Sequence, residues 1–115
     1  MTIEIFHNPR CSKSRATLAL LQERGIQPKV RLYLDDPPNV AELRRILGKL
    51  GMSARQLLRR SESEYREQGL DDDTLSEEKL LEAMAATPRL IERPIVVAGQ
   101  RAAIGRPPES VLEIL

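Results

Sequence analysis

Cys11 and His7, the single cysteine and the single histidine of this 115-residue chain, stand four positions apart in the segment FHNPRCSKSRATLALL. A thiol attacks as its thiolate, which is favoured by nearby positive charge and free backbone N–H groups. Arg10, Lys13 and Arg15 surround Cys11 with cationic side chains, and Asn8, Ser12 and Ser14 complete a polar neighbourhood. Such surroundings suit a reactive cysteine better than a buried structural one. The Cys-x-x-Ser spacing puts Ser14 where a dithiol enzyme has its second cysteine, so this thiol, once oxidised, must pass its sulfur to an outside thiol. His7 has two roles open to it, acid–base work at the thiol or hydrogen bonding to loop backbone. One cysteine and one histidine do not make a zinc site, and no bound metal is expected. A phosphatase-type Cys-x5-Arg loop is excluded, because the sixth residue after Cys11 is Thr17 and the nearest arginine, Arg15, comes two positions early.

The elements around Cys11 must place it at a strand-to-helix junction. Ile3 and Ile5 alternate with Thr2 and Glu4 as far as Phe6, which predicts a short strand, and Pro9 interrupts further pairing. A helix is expected to begin around Ser12 to Ser14, to carry Leu18 and Leu21 on its inner face, and to stop at Gly25. Cys11 then meets the unsatisfied N–H groups and the positive end of the helix dipole. Lys29 to Leu34 reads as a second strand, parallel to the first because the helix supplies the crossover.

Asn39 is placed to cap a helix carrying Val40, Leu43, Ile46, Leu47 and Leu50, with Gly51 to end it. Ser53 can cap a short helix through Leu57 and Leu58, and Thr74 with Glu77 makes a capping box ahead of a third, containing Leu80, Leu81 and Met84. The segment RPIVVAGQRAAIGRPP predicts a hairpin of Ile95 to Ala98 and Arg101 to Ile104 around Gly99-Gln100. A last helix, Glu109 to Leu115, is expected after Pro107 and Pro108. This order predicts an α/β fold of thioredoxin-like (glutaredoxin-like) type, a mixed four-stranded sheet with a helical insertion, about residues 39–90, between its βαβ and ββα halves.

The totals set further bounds. A chain of 115 residues fits one domain, and the aromatic share of 3% means that aliphatic side chains must fill its core. Eighteen basic residues against seventeen acidic ones give a net charge of +1, so no general attraction to nucleic acid or to an anionic membrane is expected and any anion site must be local. A lone cysteine favours a reducing compartment, with the cytoplasm as the expectation. No basic-then-apolar leader or membrane-length apolar run is present in the sequence. Asp71-Asp72-Asp73 lacks the alternating ligands of a calcium loop and reads as a solvated loop. A monomer is expected, since no large apolar face is evident.

Several separated pieces then coincide. HNPRCSKSR, YLDDPP, SARQLLRRSESEYREQGL, RLIERPIVV and GRPPESVLEIL follow one another at compatible separations, and over almost the whole chain they resemble the glutaredoxin-coupled arsenate reductase family. The resemblance implies that Cys11 attacks arsenate to form a thiol–arsenate adduct, that glutathione joins it, that glutaredoxin takes the electrons through, and that arsenite leaves. It implies that Arg59, Arg93 and Arg106 hold the oxyanion, that His7 helps to lower the cysteine pKa, and that Ser14 and Arg15 shape the loop. No bound cofactor is implied, glutathione being a co-substrate.

These residue types suit the chemistry by themselves. Arsenate is anionic at neutral pH and repels a thiolate unless cations compensate, which planar guanidinium groups do with two-point hydrogen bonds. Arg60 stands beside Arg59 as a rival for its role, Arg93 precedes Pro94 at a position where a thioredoxin-like fold favours a cis-proline, and Arg106 precedes Pro107 in a similar setting. Ser12 and Lys13 depart from the smaller or uncharged residues usual after the family's cysteine, and the chain stops at Leu115 where members often continue with a tail.

Two other functions compete with this one. A monothiol thiol-transferase would use Cys11 with glutathione on mixed disulfides and would have no need of converging arginines. A non-enzymatic protein of the Spx type would bind RNA polymerase, although such proteins usually carry Cys-x-x-Cys, and Ser14 removes that disulfide switch.

Overall fold

The computed structural model describes residues 2–115, and the chain divides into two compact units. The chain up to Asp36 and Arg93–Leu115 form the first, and Pro37–Glu92 forms the second.

In the first unit, β1 (Ile3–Phe6), α1 (Ser12–Glu23) and β2 (Lys29–Arg31) are completed by β3 (Ile95–Ala98), β4 (Arg101–Ile104) and a 3₁₀ segment, Pro108–Ile114. The strands form one mixed sheet in the order β2-β1-β3-β4. β1 runs parallel to β2 and antiparallel to β3, with Ile5 opposite Val30 on one side and Val96 on the other. This is the thioredoxin-like arrangement that the element order predicts. Its period-2 alternation turns Ile5, Val96 and Ala98 to one face, where they meet Leu21 of α1 and Val111 and Ile114 of the C-terminal segment in a core. Both chain halves are therefore needed to bury one face, and the packing fixes where β1 hands over to α1.

The second unit contains α2 (Val40–Leu50), α3 (Ala54–Leu57), α4 (Ser63–Glu67), α5 (Glu77–Ala86) and a 3₁₀ turn, Pro88–Leu90. Asn39 accepts from the Glu42 N–H while Glu42 reaches back to the Asn39 N–H, a complete capping box, and Ser53 with Gln56 repeats it for α3. Gly51, at φ 68°, ends α2 in the left-handed conformation that glycine adopts without strain. α2 and α3 pack on α5, burying Leu43, Leu57, Leu81 and Met84 completely. Among the described residues no helix is long and apolar enough to cross a membrane.

Three expectations need correction, and one short helix is added. β2 stops at Arg31 and does not reach Leu34, because the Asp35 and Asp36 N–H groups both donate to the Leu32 carbonyl and close a turn. Ser76, not Thr74, caps α5: its hydroxyl accepts from the Lys79 N–H, while Thr74 donates to the Asp72 carboxylate. The short α4 was not signalled by any long apolar period, since Tyr65 is its one buried residue. The C-terminal helix is 3₁₀ and spans Pro108–Ile114. Its seven residues are too few for α-helical propensity to dominate over packing of Val111 and Ile114.

Candidate active site

Cys11 occupies the N-cap position of α1 with an extended backbone, φ −93° and ψ 123°. The loop before it is tightly pinned. The His7 N–H donates to the Arg31 carbonyl, the Cys11 N–H donates to the Asn8 carbonyl, and the Asn8 side chain accepts from the Arg10 N–H. Asn8-Pro9-Arg10 is thus a side-chain-closed turn, and its direction at Cys11 follows from hydrogen bonds within a few residues.

The Cys11 side chain is 8% exposed, and this burial works to raise its pKa. Four influences overcome it and bring the thiol below its ordinary range: the Ser14 N–H, the charge of Arg93, the Lys13 N–H, and a hydrogen bond from Arg93. No acidic residue occupies the first turn of α1 to oppose them. Arg106 completes the shell, its Nη2 lying 3.6 Å from Sγ while its Nε donates to the Arg93 carbonyl at 2.8 Å. One guanidinium therefore spans from the sulfur to the backbone of the other arginine. Arg93–Pro94 and Arg106–Pro107 are both cis peptides, the first in agreement with its sequence setting.

His7 and Ser14 are buried together, with His7 Nδ1 2.6 Å from Ser14 Oγ, and the same hydroxyl accepts from the Asn8 N–H at 3.0 Å. Burial, then the charge of Arg15, lowers the His7 pKa and so favours the neutral ring. Its geometry links it to Cys11 through Ser14, whose backbone N–H favours the thiolate. Arg15 is exposed and donates to the Pro9 carbonyl at 2.8 Å, clamping the loop from outside.

The first unit thus brings together Cys11, His7, Ser14, Arg15, Arg93 and Arg106. Arg59 belongs to the second unit, at the end of α3. There its N–H donates to the Leu90 carbonyl and its Nη2 lies 2.8 Å from Glu62 Oε1, which places Glu62 between Arg59 and Arg89. Arg60, the rival, is exposed.

Residues not singled out from the sequence also shape the site. Thr17, fully buried on α1, donates to the Lys13 carbonyl, and Gly105 lies so close to it that a β-carbon there would overlap Thr17 Oγ1 and stand 2.8 Å from Pro94 Cγ. The Gly105 N–H donates to the Pro94 carbonyl at 3.0 Å. Gly105 is the spacer that lets the backbone before Arg106 lie against Pro94 and α1. Asn8 carried a signal in its Asn-Pro turn pattern, whereas nothing in the sequence marks Gly105 as a contact.

Removing the Arg93 guanidinium removes both a charge and a hydrogen bond that favour the thiolate, so Arg93→Ala is expected to move the Cys11 titration midpoint upward. The sign for stability follows. A thiol whose folded pKa is depressed stabilises the fold above its unfolded value and loses that contribution as pH falls through the folded value, so the variant has less to lose. Thiolate ultraviolet absorbance against pH measures the midpoint directly, and an unmoved midpoint would contradict the role given to Arg93.

An arrangement of this kind, a thiolate at a helix start beside two guanidinium groups, can attack an oxyanion while compensating its charge. A family model described as the ArsC family matches residues 6–114 of the chain. The chain is 58% identical to Uncharacterized protein YfgD of Escherichia coli strain K12, over 98% of this chain and 96% of that one. It is 54% identical to an arsenate reductase of Neisseria meningitidis serogroup A, over 98% of this chain and 97% of the relative. An arsenate reductase from Vibrio cholerae, 52% identical, has a solved structure that aligns with a TM-score of 0.98 over 100% of this chain and 98% of that one.

Proposed function

Because the chain belongs to the ArsC family, we propose that it reduces arsenate to arsenite, with Cys11 as the nucleophile and glutathione and glutaredoxin as the reductants. The observation that carries this reading is the pairing of a thiolate-favouring Cys11 with Arg106 Nη2 at 3.6 Å and with the charge of Arg93. A thiol-transferase needs the first of these and not the second.

In the proposed sequence, the Cys11 thiolate displaces one oxygen of arsenate, which leaves as water after protonation, and a sulfur–arsenic bond forms. Glutathione displaces a second oxygen in the same way. A glutaredoxin thiolate then attacks the glutathione sulfur. A disulfide forms as the sulfur–arsenic bond breaks, and the electron pair of that bond stays on arsenic, which is reduced by two electrons. Water releases arsenite from Cys11 and restores the thiol. Arg93 and Arg106 neutralise the oxygens through each displacement, since a guanidinium offers paired donors to an oxyanion and keeps its charge throughout. His7 and Ser14 hold the loop in register for the attack. The lone thiol has no internal partner, in keeping with external reductants. The resemblance assigns Arg59 to the same oxyanion, and its role is tested separately.

The deciding experiment is arsenate-dependent NADPH consumption with glutathione, glutaredoxin and glutathione reductase supplied. Turnover that stops when either glutathione or glutaredoxin is omitted supports the reading, and consumption indifferent to arsenate removes it. In the same assay Arg106→Ala and Arg59→Ala are each expected to lower kcat/KM for arsenate by about 10- to 100-fold, the usual range for one hydrogen-bonded charge. An Arg59→Ala protein with unchanged kcat/KM would take Arg59 out of the oxyanion set.

A further inference from the structure

On the β2 side of the Cys11 loop lies a cavity of about 370 Å³ that none of the steps above uses. His7, Asn8 and Arg10 line it from the loop, and Leu32, Leu34 and Asp35 line it from the turn after β2. Its two aliphatic walls are exposed, Leu32 by 43% and Leu34 by 37%. The charges at its rim are opposite in sign, and among the described residues neither the Arg10 guanidinium nor the Asp35 carboxylate has a side-chain partner. The neighbouring Asp36, by contrast, pairs with Arg31.

The sheet order gives this cavity a defined relation to the thiol. β1 leads into Cys11 and stands between β2 and β3. Arg93 enters β3 and Arg106 leaves β4, so the oxyanion-holding groups are on one side of the β1–α1 junction and the cavity is on the other. The side of the loop that the two guanidinium groups leave to a second thiol is the β2 side, where the cavity lies.

We infer that this cavity binds the glutathione molecule itself, with Arg10 receiving a carboxylate, Asp35 the ammonium, and Leu32 and Leu34 the methylene chain between them. This rests on the reading of Cys11 as a thiol that reacts with glutathione. The fit is one of chemistry and size. Glutathione carries carboxylates and an ammonium at its ends and an apolar stretch between. An extended tripeptide spans roughly 10 Å, and small-ligand sites begin at about 300 Å³. Rim charges of opposite sign beside two aliphatic walls match a zwitterionic peptide, whereas a purely anionic ligand would be repelled by Asp35.

The test needs no arsenate. Cys11 thiolate attacks glutathione disulfide, forming a sulfur–sulfur bond to one half as the original disulfide breaks and the other half leaves as thiolate, with no net change in oxidation. The rate of this exchange, followed by mass spectrometry, is divided by the rate with the neutral bis(2-hydroxyethyl) disulfide, which shares the thiol chemistry and lacks the recognition groups. Asp35→Lys discriminates sharply. General attraction of an anionic disulfide to added positive charge would raise the ratio, whereas loss of the ammonium partner lowers it. A fall of about tenfold in Asp35→Lys, with a fall in Leu34→Ser as well, is the expected result. A ratio that rises or stays constant in Asp35→Lys overturns the site, as does a Leu34→Ser ratio equal to the parent's. Because the positions are exposed and the readout is a ratio, a general loss of thiol reactivity cancels. Selective uptake of glutathione by a protein that reduces no arsenate would keep the site and end the arsenate reading. Arsenate turnover with ratios unmoved would do the reverse.

Discussion

Cys11→Ser is expected to give a folded protein whose arsenate-dependent turnover falls to background, a loss on the order of 10³-fold or more. Serine is close to cysteine in size, and the polar groups about Sγ, including the Arg106 Nη2 at 3.6 Å, can donate to a hydroxyl as well. The fold should therefore survive. What disappears is the ionisable group. The N–H groups of Ser14 and Lys13 and the charge of Arg93 lower the pKa of a thiol, but an alkoxide lies far outside their reach. Thermal unfolding of the variant should show a retained cooperative transition, while coupled NADPH consumption shows no response to arsenate. Retained turnover would move the nucleophile elsewhere, and no other thiol is present in the chain.

Gly105→Ala is expected to be the most damaging small substitution in the first unit, lowering stability by about 3 kcal/mol and Tm by on the order of 10 °C. Its new methyl group would overlap Thr17 Oγ1, stand 2.8 Å from Pro94 Cγ and 3.1 Å from Thr17 Cγ2. Neither neighbour can move freely. Thr17 is fully buried, β-branched and bonded to the Lys13 carbonyl, and Pro94 is a ring whose carbonyl accepts the Gly105 N–H. Relief must come from backbone shifts of α1 or of the chain around Pro94. Either shift disturbs Cys11 or Arg93, so activity should fall with stability. Thr17→Ala combined with Gly105→Ala removes both threonine contacts and should recover part of the loss, a coupling that a double-mutant cycle reads from denaturant midpoints. Purely additive effects would show that the overlap with Thr17 is not what destabilises the single variant.

The local elements of both units are legible in the sequence because their determinants lie within a few residues. Alternation marks β1, the Gly99-Gln100 turn between two short runs marks β3 and β4, and capping residues at Asn39 and Ser53 make the hydrogen bonds their types suggest. Where two local options compete, tertiary contacts choose. Thr74 can begin a capping box on paper, yet it bonds to Asp72 while Ser76 takes the helix start. Lys29 to Leu34 can all pair as a strand, yet the turn on the Leu32 carbonyl ends it after Arg31.

Sequence alone determined that this protein has one thiol, at the start of a helix, in cationic and polar surroundings, because charge, turn chemistry and helix signals all lie within the stretch from His7 to Arg15. The arginines stood out only by resemblance to a family. Tertiary structure alone decided that Arg106, 95 positions away, meets Cys11 Sγ, that Gly105 must lack a side chain, and that the turn after β2 forms a cavity beside the loop. Local hydrogen bonds and periodicities are recorded in short windows of sequence, whereas these contacts exist only once burial of Ile5, Leu21, Val96 and Val111 has joined the two ends of the chain in one core.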